Sequence, residues 1–181
     1  MVMKVYLVRH GETNYNVLNL HNEDPAVDVH LTETGIKQAK KVANTLKNKN
    51  LEHIFVSELK RTQQTADIIN KYHQVAITVD KRLNDNKTGY EGQPDSIYHE
   101  QLKESQDVWN VSFNDGESLN DVWNRIDSFI DYLQGQHYKS CAVVTSRIIV
   151  QYFLAIDRGG TIEQADEYYV DKGSCIELDL T

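Results

Sequence analysis

Cysteine, proline and long apolar runs are all scarce in this sequence, and each shortage excludes something. Only Cys141 and Cys175 occur in 181 residues, both in apolar, strand-like runs, so the pattern reads as two reduced buried thiols rather than a disulfide framework. No apolar run reaches the length of a membrane span, and Met1-Val2-Met3-Lys4 passes straight into a strand without a signal-peptide core. These features point to a cytoplasmic protein with no membrane partner. Positive charge is also short: 19 basic residues face 27 acidic ones, for a net charge of −8. Such a balance repels nucleic acid and anionic membranes, so any anionic ligand must be small and met by a local positive pocket. Repeats, low-complexity tracts and linkers are missing as well. A chain of this length suits one domain, since domains cluster at about 100–200 residues.

What is present is an alternation of strand and helix periods. Strand-like runs occur at 4–8, 54–57, 75–80, 142–145 and 174–180. Between them, Thr32 is placed to cap a helix whose apolar stripe is Ile36, Ala39, Ala43 and Leu46. A second helix is expected over 62–72, with Ala66, Ile68 and Ile69 inward. A third opens at Ser118 with Asp121 in capping-box spacing and carries Leu119, Val122, Ile126, Phe129 and Leu133. A fourth spans 148–156. The pattern predicts a three-layer α/β/α sandwich with a mostly parallel sheet, its last run (alternating Ile176, Leu178 and Leu180 with Glu177 and Asp179) an antiparallel edge strand. The stretch 84–117 fits no single period and reads as a capping insertion with one short helix at 95–103.

In open parallel sheets, ligands bind beyond the carboxyl ends of the strands. Arg9 and His10 follow the first strand, Arg61 lies just after the second, Asp85 after the third, and Ser146 and Arg147 after the fourth. Guanidinium forks match phosphate oxygens, a neutral imidazole can attack phosphorus, and a carboxylic acid can protonate a departing oxygen. The edge therefore suits a phosphoryl group. Three other patterns carry no chemistry: His99-Glu100 lacks the second histidine of a zinc helix, Ser146 lacks the glycines of a nucleophile elbow, and Arg158-Gly159-Gly160 follows a helix and terminates it.

Five stretches in order give these residues a family resemblance: LVRHGET (7–13), LTETGIKQA (31–39), SELKRTQQTA (57–66), RLNDNKTGYEG (82–92) and GESLNDVWNR (116–125). Together they resemble the histidine phosphatase superfamily, the phosphoglycerate-mutase-like proteins. The resemblance implies a metal-independent enzyme without a cofactor, in which His10 is the phosphorylated nucleophile. Arg9 and Arg61 hold the phosphate, assisted by Asn16 and Thr13. Asp85 is the implied proton donor, and Glu91 is the next candidate. Asn16 reads equally as a loop cap.

Two departures qualify the match. The family's second histidine belongs after CAVVT, where this chain has Ser146. Arg147 beside it either compensates or simply faces solvent. After Asn16 the family often carries an arginine and a Gln-Gly pair, whereas Leu20, Asn22 and Glu23 stand here in an acidic loop. With no further basic cluster in view, doubly phosphorylated substrates look poorly served. The expected function is a phosphatase for small phosphate monoesters, slowed by Ser146. The alternatives are a phosphate-binding pseudoenzyme with a sensor or partner role and, behind both, a mutase-type phosphotransferase. Oligomeric state is not legible.

Overall fold

The structure is a computed structural model, which describes residues 2–181. One five-stranded sheet organises it: β1 (Met3–Arg9), β2 (His53–Val56), β3 (Ala76–Val79), β4 (Ser140–Thr145) and β5 (Cys175–Leu180), in the order β3-β2-β4-β1-β5. β1, β2, β3 and β4 run parallel, and β5 pairs antiparallel with β1 at the edge. The expected mixed sheet is therefore present, with strand ends shifted by one or two residues.

Alternation along the buried strands builds two cores. Met3, Val5, Leu7, Phe55, Cys141 and Val143 face α5 (Leu119–Gln134) and α6 (Arg147–Asp157). Tyr6, Val8, Ile54, Val56, Ala142 and Val144 face α2 (Glu33–Leu46) and α3 (Lys60–Asn70). Helices on both faces give the three layers, because side chains in a strand point alternately to opposite sides. The Phe55 and Phe129 rings meet edge to face at 5.7 Å in the first core. Ser118 and Asp121 form a reciprocal capping box that starts α5.

Several local expectations need correction. α3 begins at Lys60, two residues early, and turns Arg61, Thr62 and Thr65 inward while Ile68 is only half-buried. Ile36 sits at the margin of the α2 stripe, 36 % exposed. Cys175 is half-buried rather than buried. Three short elements carried too little period to be seen: α1 (Asn14–Leu18) and 3₁₀ turns at Lys81–Leu83 and Ile162–Glu167. The stretch 84–117 holds one helix, α4 (Asp95–Glu104), and lies against the first loop. Residues 19–21 bond to 92–95 through three backbone hydrogen bonds, Asp95 N to Asn19 O, His21 N to Gln93 O and Gly92 N to His21 O, which make an antiparallel bridge between Leu20 and Pro94. No helix among the described residues is long and apolar enough to cross a membrane.

The chain leaves β1 toward α2 on one face, while β4 leads into α6 on the other. Their neighbouring carboxyl ends thus open a crevice, where doubly wound sheets bind ligands. Two glycines let the segment after β1 close against the start of α2. A Cβ on Gly11 would overlap the Gly35 backbone, and one on Gly35 would overlap the Glu12 carbonyl. The Glu12 carboxylate accepts from Thr32, the cap of α2, so RHGET and LTETG hold each other. Gly11→Ala should lower unfolding stability by about 1–3 kcal/mol, the usual range for overpacking. Urea denaturation checks this, and an unchanged midpoint would contradict the close contact.

Candidate active site

His10 is the first residue beyond β1, and its amide bonds the Thr145 carbonyl at the end of β4 (3.0 Å). Its ring is almost wholly buried. Nδ1 lies 2.7 Å from the Gly11 carbonyl, which can only accept, so Nδ1 carries the proton and Nε2 keeps its lone pair. That lone pair accepts from Arg61 Nε at 3.0 Å. Burial, then the nearby Arg61 guanidinium, push the His10 pKa down to about 3, the Gly11 carbonyl opposing and Arg9 adding to the depression. His10 is therefore a neutral, correctly tautomerised imidazole across the physiological range.

Arg61, 4 % exposed, is the hub. Its nitrogens reach His10, the side chain and backbone carbonyl of Asn22, Asp85 Oδ2 (2.7 Å) and Ser146 Oγ (3.2 Å). Burial alone would raise the Asp85 carboxyl, but Arg61, with help from His21 and His10, outweighs it and holds Asp85 below the usual carboxylate range. Asp85 is fixed from behind by α5. Arg125 bonds the Arg82 and Asp85 carbonyls and is paired with Glu117 at 2.8 Å. The GES…NR stretch is thus a clamp on the Asp85 loop, a role concealed by the separation of 40 residues between Asp85 and Arg125.

Glu91 does not enter the cavity. Its carboxylate accepts from Asn22 Nδ2 and from the Glu23 and Asp24 amides, while Glu23 in turn caps the Thr88 and Gly89 amides. The two acids lace the first loop to residues 88–91. Thr13 and Asn16 form the capping box of α1, Asn16 Oδ1 accepting from the Thr13 amide. Both still line the cavity, so capping and ligand contact are compatible for Asn16 through its free amide group. Arg9 donates to the Val170 carbonyl, but its buried Nε has no acceptor. Ser146 caps α6 without a side-chain cap bond and is fully buried beside Arg61.

The cavity is about 260 Å³, enough for a small molecule. His10, Arg9, Arg61, Asp85, Thr13 and Asn16 all line it. Sequence reasoning missed Asn22 as an Arg61 partner, and also His21. Both ring nitrogens of His21 face acceptors, Asp95 Oδ1 and the Asn86 carbonyl, each at 3.1 Å. Burial disfavours its charge, yet the Asp95 and Asp85 carboxylates and the Asn86 carbonyl prevail and raise its pKa. Arg147 and Lys172 complete the mouth, which corrects the expectation that no further cations gather here.

Because folded His10 resists protonation until about pH 3, acidification below the unfolded value of about 6.5 loads the proton onto the unfolded chain and removes stability. Wild type should therefore lose stability more steeply than His10→Gln between pH 6.5 and 4.5, by at most about 1.4 kcal/mol per pH unit. Urea titrations at a series of pH values test this. Parallel losses in the two proteins would contradict a buried neutral imidazole.

Comparison with known proteins agrees with this geometry. Residues 5–181 match the family model of the histidine phosphatase superfamily (branch 1). The chain is 35% identical over 136 residues to the probable phosphoglycerate mutase GpmB of Yersinia pestis, and the same holds for Yersinia pseudotuberculosis; the match covers 72% of this chain and 62% of those proteins. The chain thus matches somewhat less than two thirds of the length of these curated relatives. Among solved structures, it is similar to the alpha-ribazole phosphatase of Shigella flexneri, with a TM-score of 0.85 and 26% identity over 97% of this chain and 89% of that one. A mycobacterial glucosyl-3-phosphoglycerate phosphatase shares the fold at a TM-score of 0.79 and 20% identity, covering 97% and 90%. With the family match running from the first strand through both helical layers to the last residue, the chain belongs to the histidine phosphatase superfamily.

Proposed function

We propose that the chain is a metal-independent phosphatase that hydrolyses small phosphate monoesters through a phosphohistidine at His10. One observation carries this reading: His10 Nδ1 is locked to the Gly11 carbonyl while Nε2 faces the Arg61 guanidinium at 3.0 Å. A phosphoryl oxygen accepting from Arg61 Nε takes over that donor and frees the Nε2 lone pair. Nε2 then attacks phosphorus as the ester P–O bond breaks, with Arg9 and Arg61 bracketing the phosphoryl oxygens. The Arg9 Nε–H supplies the further buried donor that such an oxygen satisfies.

Asp85 donates the proton to the departing alcohol. Its carboxyl is ionised while Arg61 faces it alone, but a phosphate dianion on Arg61 offsets that field and lifts the Asp85 pKa. The same carboxylate then takes a proton from the water that attacks phosphohistidine, releasing inorganic phosphate and neutral His10. Since the acid form is required, hydrolysis of alkyl phosphates should decline as pH rises. Phosphatase names among the relatives support the hydrolytic direction. The mutase name of GpmB fits the same first step, with transfer to a second alcohol in place of water.

Ser146 at the second-histidine position leaves the transferring phosphoryl group short of one charged donor. Losing one preorganised donor of this kind costs roughly 10²–10³ in rate. The same deficit favours a second reading, a phosphate-binding protein that no longer turns over. Hydrolysis of p-nitrophenyl phosphate in EDTA separates the two. The phosphatase reading expects Ser146→His to raise kcat at least tenfold and His10→Ala to abolish turnover; phosphate binding with no turnover in either protein would favour the sensor. Asp85→Asn should cost about 10²–10⁴ on an alkyl phosphate but much less on p-nitrophenyl phosphate, whose leaving group departs without a proton. Equal losses on both substrates would remove Asp85 from the proton-donor role.

A further inference from the structure

His10 and His21 line the same cavity in opposite charge states, and each state follows from the partners of its ring. His10 Nε2 accepts from Arg61, so that ring is neutral. Both nitrogens of His21 face acceptors instead. Nδ1 lies 3.1 Å from Asp95 Oδ1, and Nε2 lies 3.1 Å from the Asn86 carbonyl and 3.5 Å from Glu23 Oε2. A carbonyl and two carboxylates only accept, and a neutral imidazole has a single N–H to offer. A neutral ring would set a bare lone pair against an oxygen, in a side chain only 15 % exposed. His21 is therefore an imidazolium.

Main-chain bonds fix where this cation sits. The His21 amide bonds the Gln93 carbonyl, and the Gly92 amide bonds the His21 carbonyl, both at 2.9 Å, so the residue is pinned without its ring. The ring faces Glu23 of the first loop, Asp95 of α4 and the Asn86 carbonyl of the loop after β3. From α4 come also the Tyr98 ring, 6.4 Å away, and His99, which acts on Asp95. From α3, Arg61 reaches the neighbouring Asn22. Asp85 precedes Asn86 and lines the same cavity. Its carboxylate favours the charged His21 ring, and that ring in turn is second only to Arg61 among the groups that hold Asp85 ionised.

A bound phosphoryl dianion changes this balance. It occupies Arg61 and Arg9, while His10 is uncharged, so His21 is the cation left to face the carboxylate. A donor that is an acid when the alcohol leaves and a base when water attacks works best with its pKa near the pH of the reaction. Burial and the dianion both push the Asp85 carboxyl up, and a fixed cation opposes them. We propose that His21 is a positioning residue for this donor: its imidazolium, held between Asp95 and the Asn86 carbonyl, keeps Asp85 able to act as acid in the first half of the reaction and as base in the second. That role rests on the phosphatase reading of Asp85, whereas the charge coupling of the two side chains does not.

Side-chain NMR tests the coupling without turnover. The probe is saturating sulfate, a dianion that does not titrate over the range scanned. The Asp85 carboxyl carbon, identified by its absence from Asp85→Asn, is followed against pH in wild type, His21→Gln and His21→Arg. The His21 ring is followed in wild type and in Asp95→Asn, whose exposed site tolerates the change. The wild-type ring should titrate above its ordinary value of about 6.5, and lower in Asp95→Asn. In His21→Gln the Asp85 titration should move up by about half a pH unit or more, and His21→Arg, which keeps a cation, should bring it back. On an alkyl phosphate the fall of kcat toward high pH should move up with it in His21→Gln, since kcat reports the donor in the bound complex. An Asp85 titration unmoved in His21→Gln, or one that His21→Arg fails to restore, would overturn the proposal and leave His21 a tie between loop and helix. So would a wild-type ring that titrates at or below about 6.5. A shifted Asp85 titration with no turnover, or with an unmoved kcat profile, would leave the coupling standing and sink the assignment of Asp85 as proton donor.

Discussion

A buried guanidinium governs this site. Taking a full positive charge out of water costs several kcal/mol unless its donors are met. Arg61 meets that requirement by drawing in one acceptor from each neighbouring segment: His10 from β1, Asn22 from the first loop, Asp85 from the loop after β3, and Ser146 from the end of β4. Removing any of these partners leaves donors stranded. The consequence is chemical as well as structural. Burial, together with the charge that gathers these groups, keeps the imidazole neutral, and the same charge keeps the carboxylate ionised, so the site is poised for an anion that can compete for the same donors.

Around this hub the acidic loop is a frame. Glu23 and Glu91 exchange hydrogen bonds across the first loop and residues 88–91, and His21 ties the same loop to α4 through Asp95. Read from sequence, Glu23 counted against doubly phosphorylated substrates, and Glu91 stood as the second candidate for proton donor. Their carboxylates are in fact consumed by backbone amides, which satisfies them locally and keeps them off the cavity wall. The positive field inside the cavity can therefore exceed what a net charge of −8 suggests.

Much of the fold was legible because its signals are local. Alternating apolar residues in β5, the Ser118 capping box and the stripe of α2 each follow from a fixed period or a short spacing. The strand-end rule brought Arg9, His10, Arg61, Asp85 and Ser146 to one edge before any coordinates. What escaped depends on long-range contact. Arg125 clamps the Asp85 loop from another helix, and Lys172 reaches the cavity through a turn 162 residues after His10. Asn22 lay in a loop judged only by its departure from the family pattern. The inward turn of Arg61 moved the start of α3, because a polar residue that faces a cavity breaks the apolar stripe used to place a helix.

On the proposed reading, Ser146 withdraws one charged donor while His10, Arg9, Arg61 and Asp85 keep their roles, so the reading expects a loss of rate rather than of the intermediate. The most direct measurement is therefore the covalent state of the protein after brief mixing with a reactive phosphate monoester, read by intact mass and by site-localising fragmentation under alkaline conditions. The account predicts one added phosphoryl group, on the His10 imidazole, its slow breakdown prolonged by Ser146. A phosphoryl group on Ser146 or another residue, or turnover with no covalent adduct at any time, would contradict it.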